Sequence, residues 1–142
     1  MIKLVIPGSP MGKQRPRVMK NGITYTPAKT VNYETLIKEL YIEQHSGEQL
    51  QGPIRMTIDA YFDIPKSVSQ KKRRHMLSGL EMPCKRPDMD NIAKIVADAL
   101  NKIAYQDDSQ IVELAINKRY AEQARVEITL QEVILNEKVN HI

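Results

Sequence analysis

The chain has 142 residues, 42% of them hydrophobic and 5% aromatic, which suits one domain with an ordinary core. The single cysteine, Cys84, excludes an internal disulfide and a cysteine-rich zinc site and fits a reducing, cytoplasmic setting. Net charge is only +4, but residues 12–29 and 65–86 together carry +11 while the rest of the chain carries −7, a separation that points to a phosphate-bearing partner.

The opening MIKLVIPGSP holds a five-residue apolar run, too short for a signal segment or a membrane span, and Ile2, Leu4 and Ile6 alternate as a strand. PGSPMGKQRPRV then reads as an irregular loop. Asn21-Gly22 marks a tight turn, with Ile23 to Tyr25 returning as a short strand. Thr26-Pro27 has the pattern of an N-cap followed by proline at the first helical position. A helix is expected from there to Gln44, with Tyr33, Leu36, Ile37, Leu40 and Tyr41 on one face.

Residues 54–64 alternate cleanly, with Ile54, Met56, Ile58, Ala60, Phe62 and Ile64 on one side, and predict a strand. Ser67 with Gln70 forms a capping-box pattern that opens the basic helix SQKKRRHML, and Gly79 closes it. After a loop over 80–87, residues 89–103 predict a second strong helix, its stripe formed by Ile92, Ile95, Val96, Ala99, Leu100 and Ile103. Strands follow at 110–120 and 125–130, and the short polar link around Glu122-Gln123 predicts an antiparallel hairpin between them. The expected architecture is therefore α+β: one domain over 1–131, a mixed and mostly antiparallel sheet of about four strands with helices packed on it, and a tail over 132–142.

The stretch from Lys85 to Gln110 concentrates Asp88, Asp90, Asp98, Asp107 and Asp108. Asp90, Lys94 and Asp98 are successive i, i+4 neighbours opposite the apolar stripe, Asp88 sits at the helix mouth, and Asp107-Asp108 precede a strand that can return beside that helix. Carboxylates converging from two elements offer the hard oxygen ligands that Mg²⁺ takes alongside water and phosphate oxygens, and Mn²⁺ uses similar ligands. Such an ion activates water and neutralises charge during phosphodiester hydrolysis, and a neighbouring lysine such as Lys94 assists at the phosphate. Lys13, Arg15, Arg17, Lys72, Arg73, Lys85 and Arg86 are the expected contacts to a DNA backbone. Each acid also has an ordinary structural use: Asp88 as an N-cap, Asp90 at the positive end of a helix dipole, Asp98 as a surface ion-pair partner of Lys94, Asp107-Asp108 as turn residues. His45, His75 and His141 stand apart and do not suggest a histidine zinc site.

In order along the chain, Arg86-Pro87-Asp88-Met89-Asp90-Asn91-Ile92-Ala93-Lys94, then Asp98-Ala99-Leu100, then Asp107-Asp108-Ser109-Gln110 closely resemble the RusA family of Holliday-junction-resolving endodeoxyribonucleases, common in phages and prophages. The N-terminal GKQRPR and GITYTP segments resemble the branch of that family found in Gram-positive bacteria and their phages. The resemblance covers the chain to about residue 131. It implies a homodimeric, divalent-metal-dependent enzyme with a mixed α/β fold acting on branched DNA. It puts the catalytic acids at Asp88, Asp90 and Asp108, with Asp107 as a further candidate ligand, and the motif lysine at Lys94. A non-catalytic junction- or single-strand-binding protein, and a less selective flap nuclease, are the alternatives that substrate comparisons separate.

Overall fold

The computed structural model describes residues 1–134. The elements run β1 (Ile2–Pro7), β2 (Arg17–Val18), β3 (Thr24–Tyr25), α1 (Ala28–His45), β4 (Ile54–Asp63), α2 (Gln70–Ser78), α3 (Met89–Leu100), a 3-10 turn (Asp108–Gln110), β5 (Ile111–Ala121) and β6 (Arg125–Glu132). The main sheet has the order β1-β6-β4-β5, and β2 pairs with β3 in a separate two-stranded ribbon. The fold is α+β with a mixed sheet, as the alternation of the strands and the periodicity of the helices require. No helix among the described residues is long and apolar enough to cross a membrane.

One face of the sheet forms the core. Ile2, Leu4 and Ile6 of β1, Ile54, Met56, Ile58 and Ala60 of β4, and Val126, Ile128 and Leu130 of β6 are all buried. They meet Tyr33, Ile37 and Tyr41 of α1 and Ile92, Ile95, Val96, Ala99 and Leu100 of α3. A two-residue strand period on one side and a helical stripe on the other can both be dry only when facing each other.

The chain departs from the sequence expectations in five places. β5 and β6 do not form a hairpin: β4 lies between them, parallel to β5 and antiparallel to β6. Ala121 pairs with Asp63 and Arg125 with Tyr61, so residues 122–124 carry the chain over the end of β4. That crossing of two strand spacings is about 10 Å, within reach of three extended residues. The cap of α2 is Ser69, whose side chain accepts from the Lys72 amide, and not Ser67; Gly79 closes the helix at φ 85° as expected. α1 has Pro27 itself at the N-cap position, one residue later than expected, with its carbonyl accepting from Thr30 and Val31. α3 stops at Leu100, because Asn101 leaves helical geometry at ψ 132° and Lys102 takes φ 70°. At the other end, β6 runs through Glu132 and Val133 donates to Pro53 O; the rest of the expected tail, 135–142, lies outside the described residues.

Ile95 has no exposed surface and sits where α3 meets the sheet. Ile95→Ala is expected to lower unfolding free energy by about 2–5 kcal/mol in urea titrations. A change below about 0.5 kcal/mol, the range of surface substitutions, contradicts this packing.

Candidate active site

Two aspartates mark the entrance of α3. Asp88 occupies the N-cap position with extended backbone, and its carbonyl accepts from Ile92 at 3.1 Å, but its carboxylate makes no capping hydrogen bond. An aspartate there ordinarily spends its side chain on the helix's free amides; this one leaves its oxygens uncommitted. Asp90, in the first turn, is exposed, at the end of the helix dipole that favours a carboxylate.

Asp90, Ala93, Lys94, Ala97 and Asp98 form one stripe along α3, and the stripe faces the start of β5 across a cleft of ≈ 380 Å³. Met56 of β4 and Ile111, Leu114 and Ile116 of β5 form the apolar floor. Asp108 closes the rim from the 3-10 turn. Asp90 and Asp108 thus share one cleft with Lys94 and Asp98. Asp88, expected beside them, lines an adjoining groove with Gly12, Lys29, Arg86 and Asn91. The separation follows from helix geometry, since residues two apart do not project to the same side.

The adjacent acids of the turn have different surroundings. The Asp107 carboxylate accepts from the Ser109 amide at 2.9 Å, and Gln110 Oε1 accepts in return from the Asp107 amide at 3.0 Å, a reciprocal capping box. The Ser109 hydrogen bond holds the Asp107 carboxyl below the usual aspartate range. Asp108 donates its amide to Asn101 Oδ1 at 3.1 Å and turns toward the cleft. Gln110 Nε2 donates to Leu50 O at 3.3 Å and Gly52 O at 3.0 Å, which ties the turn to the segment leading into β4. Beneath the cleft, the buried Tyr105 hydroxyl donates to Ala97 O at 2.7 Å. Burial pushes its pKa up, and the charges of Asp108 and Asp98 add to the rise.

Asp98 is the electrostatic hub. Its Oδ2 lies 3.3 Å from Lys94 Nζ and 3.3 Å from Lys13 Nζ. Lys13 also pairs with Glu34 of α1. Burial works against the Lys13 ammonium, but the hydrogen bonds and charges of Glu34 and then Asp98 outweigh it and hold its pKa above 10.5. The Lys13 amide donates to Asn91 O at 2.9 Å, so the N-terminal loop is pinned to α3 by backbone and side chain together. Gly12 permits the approach: a Cβ there would stand 2.9 Å from both Asn91 Cβ and Pro87 Cβ. Lys13, expected on a DNA backbone, is thus already held between two carboxylates.

The other basic residues are spread over the surface. Lys72 pairs with Glu81 at 3.8 Å and Arg73 with Glu122 at 3.5 Å, exposed pairs of the weakly held kind. Lys85 stacks its ammonium over Phe62 and Tyr120, Arg86 borders the Asp88 groove, and Arg15 and Arg17 lie on an exposed arm.

Among the described residues, no three His, Cys, Asp or Glu side chains stand close enough to form a ready-made metal-holding group, while Asp90, Asp98 and Asp108 line one cleft and Asp88 lines the groove beside it. The cleft does offer carboxylate oxygens without histidine or cysteine. That donor set fits a hard cation such as Mg²⁺, which commonly takes one or two carboxylates and fills its remaining positions with water and substrate phosphate. Asp98, Asn101 and Gln110 are site residues to which the sequence alone gave no catalytic role. The helical spacing of Asp98 was visible, whereas the approach of Glu34 from α1 is a tertiary fact with no sequence sign.

A family-wide sequence model described as Endodeoxyribonuclease RusA matches residues 7–131. The uncharacterized protein YqaN of Bacillus subtilis (strain 168) is 40% identical over 138 residues, 93% of this chain and 96% of that protein. A crossover junction endodeoxyribonuclease, rusA, of Lactococcus phage r1t is 34% identical over 82 residues, 57% of this chain and 56% of that protein. The chain belongs to the RusA endodeoxyribonuclease family.

Two predictions follow from the loop contact. Gly12→Ala is expected to cost about 1–3 kcal/mol by overpacking, read as a lower urea midpoint; an unchanged midpoint contradicts the close approach. Because the Lys13 pKa is raised, its pairing stabilises the fold fully below pH 10.5 and is lost as pH climbs through the higher folded-state value. The stability difference between the parent and Lys13→Met should therefore be flat from neutral pH to about 10 and shrink above that. A difference that grows with alkaline pH contradicts the assignment.

Proposed function

We propose that this chain is a divalent-metal-dependent endodeoxyribonuclease that resolves Holliday junctions by hydrolysing phosphodiester bonds in DNA recombination and repair, acting in the cytoplasm as a homodimer. The observation that carries this reading is the meeting of Asp90 and Asp108, from separate elements, in one cleft with Lys94. Family membership supports it. Asp90 and Asp108, with Asp88 from the adjoining groove, would hold Mg²⁺ or Mn²⁺; Asp107 is the weaker choice because its carboxylate is engaged by Ser109. When bound, such an ion lowers the pKa of a water and neutralises charge on the phosphate in the in-line displacement.

The chain's own side chains do the rest. Lys94 presents a largely exposed ammonium at the cleft mouth to a phosphate oxygen, and Asp98 keeps it from swinging away. Arg15, Arg17, Lys72, Arg73, Lys85 and Arg86 offset the repulsion between an acidic cleft and a polyanion; the weak pairs of Lys72 and Arg73 exchange readily for phosphate. Two copies related by a two-fold axis would nick strands of like polarity symmetrically at a four-way branch.

The test is cleavage of a synthetic four-way junction, a flap and a linear duplex of matched sequence, with Mg²⁺ and with chelator. Symmetric cutting of the junction alone, dependent on the metal, is expected. Asp90→Asn and Asp108→Asn should each lower the rate by on the order of 100-fold or more while binding persists. Undiminished cutting by either variant overturns the site. Equal cutting of the flap overturns the junction preference.

A further inference from the structure

The chain from Arg15 to Tyr25 contributes nothing to the core: all eleven residues are exposed. It is nevertheless ordered as a ribbon. Arg17 pairs with Tyr25 and Val18 with Thr24, the Met19 amide donates to Ile23 O at 2.8 Å, and Gly22 at φ 86° makes the turn. Residues facing one another across an antiparallel pair share a face. Arg17, Tyr25, Met19 and Ile23 therefore stand together on one side of the ribbon, the last three with 46%, 49% and 59% of their surface exposed. Exposed apolar side chains grouped in this way mark a binding surface.

The surroundings of the patch identify the occupant. Residues 12–29 hold Lys13, Arg15, Arg17, Lys20 and Lys29 and no acid. A second copy of the same face would set these like charges against each other, whereas nucleic acid matches both properties: phosphates for the cations and base faces for the apolar and aromatic groups. The ribbon is also anchored at the cleft. Its base is Lys13, bound to Asp98 and Asn91, and Gln14, whose amide donates to Thr30 Oγ1 at 3.4 Å. Six residues, Arg15 to Lys20, separate the tip from that anchor, and even fully extended they reach no further than roughly 20 Å.

We infer that the ribbon is a branch-reading arm: Tyr25 and Arg17 stack on bases freed from the duplex stack at the junction centre, and Met19 and Ile23 wedge between them, while Arg15 and Lys20 grip phosphate. This rests on the nuclease reading above and assigns to the arm the recognition of branched over continuous DNA.

The test measures binding of the full chain, as Asp90→Asn and without divalent metal so that cutting is suppressed, to a four-way junction and to a duplex of equal length across a salt series. Adding Met19→Ser with Ile23→Ser should weaken junction binding on the order of tenfold or more. Duplex affinity and the salt slope should not change. Adding Arg15→Ala instead should flatten the salt slope by about 0.9, because one phosphate contact is lost. Both variants should melt with the parent, since the altered residues touch no core. Junction binding unchanged by the double serine substitution overturns the arm, and so does a change in oligomeric state caused by it. A parent that binds junction no better than duplex overturns the resolvase reading itself, and this inference with it.

Discussion

β5 runs parallel to β4, and a parallel pair cannot be closed by a tight turn. The chain leaving Asp63 must travel back to the start of β4 before β5 can begin, and α2, α3 and the 3-10 turn are laid down on that return. Ile111 then pairs with Ile54, which fixes the Asp107–Gln110 turn beside the segment entering β4, where Gln110 fastens it to Leu50 and Gly52. The apolar stripe of α3 has one dry place to go, against the sheet, and burying it turns Asp90, Lys94 and Asp98 toward the strand that follows Asp108. The cleft is thus a consequence of strand direction and helix burial together, with neither acid held by a loop alone.

Placing Asp90, Asp98 and Asp108 around one cleft raises an electrostatic difficulty that the chain answers locally. Lys94 and Lys13 share one oxygen of Asp98, and Glu34 holds Lys13 from behind. These contacts also join three parts of the molecule, since Lys13 belongs to the N-terminal loop, Asp98 to α3 and Glu34 to α1. The closeness of Gly12 to Pro87 and Asn91 makes this junction steric as well as electrostatic. The loop that leads to the exposed ribbon is therefore fixed to the same helix that carries the acids.

Elements whose physics is local were legible in the sequence. β4 shows its alternation and α3 its stripe, because a half-buried strand and a one-sided helix impose those periods whatever their partners are. Pairing is different: the alternation of β5 and β6 states which faces are buried but not which strand lies alongside, and a three-residue link serves a hairpin or a step over β4 equally well. Ser67 and Ser69 are chemically alike as caps, and only the backbone at Ser69 decides between them. The motif acids were visible as a group, yet their division was not. Asp88 and Asp90 stand two apart in sequence and diverge on a helix, while Asp107 and Asp108 separate because a capping box engages the first. Lys13 read as one cation among many, and its position between Glu34 and Asp98 depends on how α1 packs on α3.

On the function proposed above, a divalent cation and a DNA phosphate meet in the cleft between α3 and the start of β5. Titrating Mn²⁺ into isotope-labelled protein and following paramagnetic broadening of the amide resonances locates the ion directly. Asp88, Asp90 and Asp108 are expected to broaden first and together, ahead of residues in β1 and the β2–β3 ribbon. Broadening centred elsewhere, or none at concentrations that support cleavage, would contradict it.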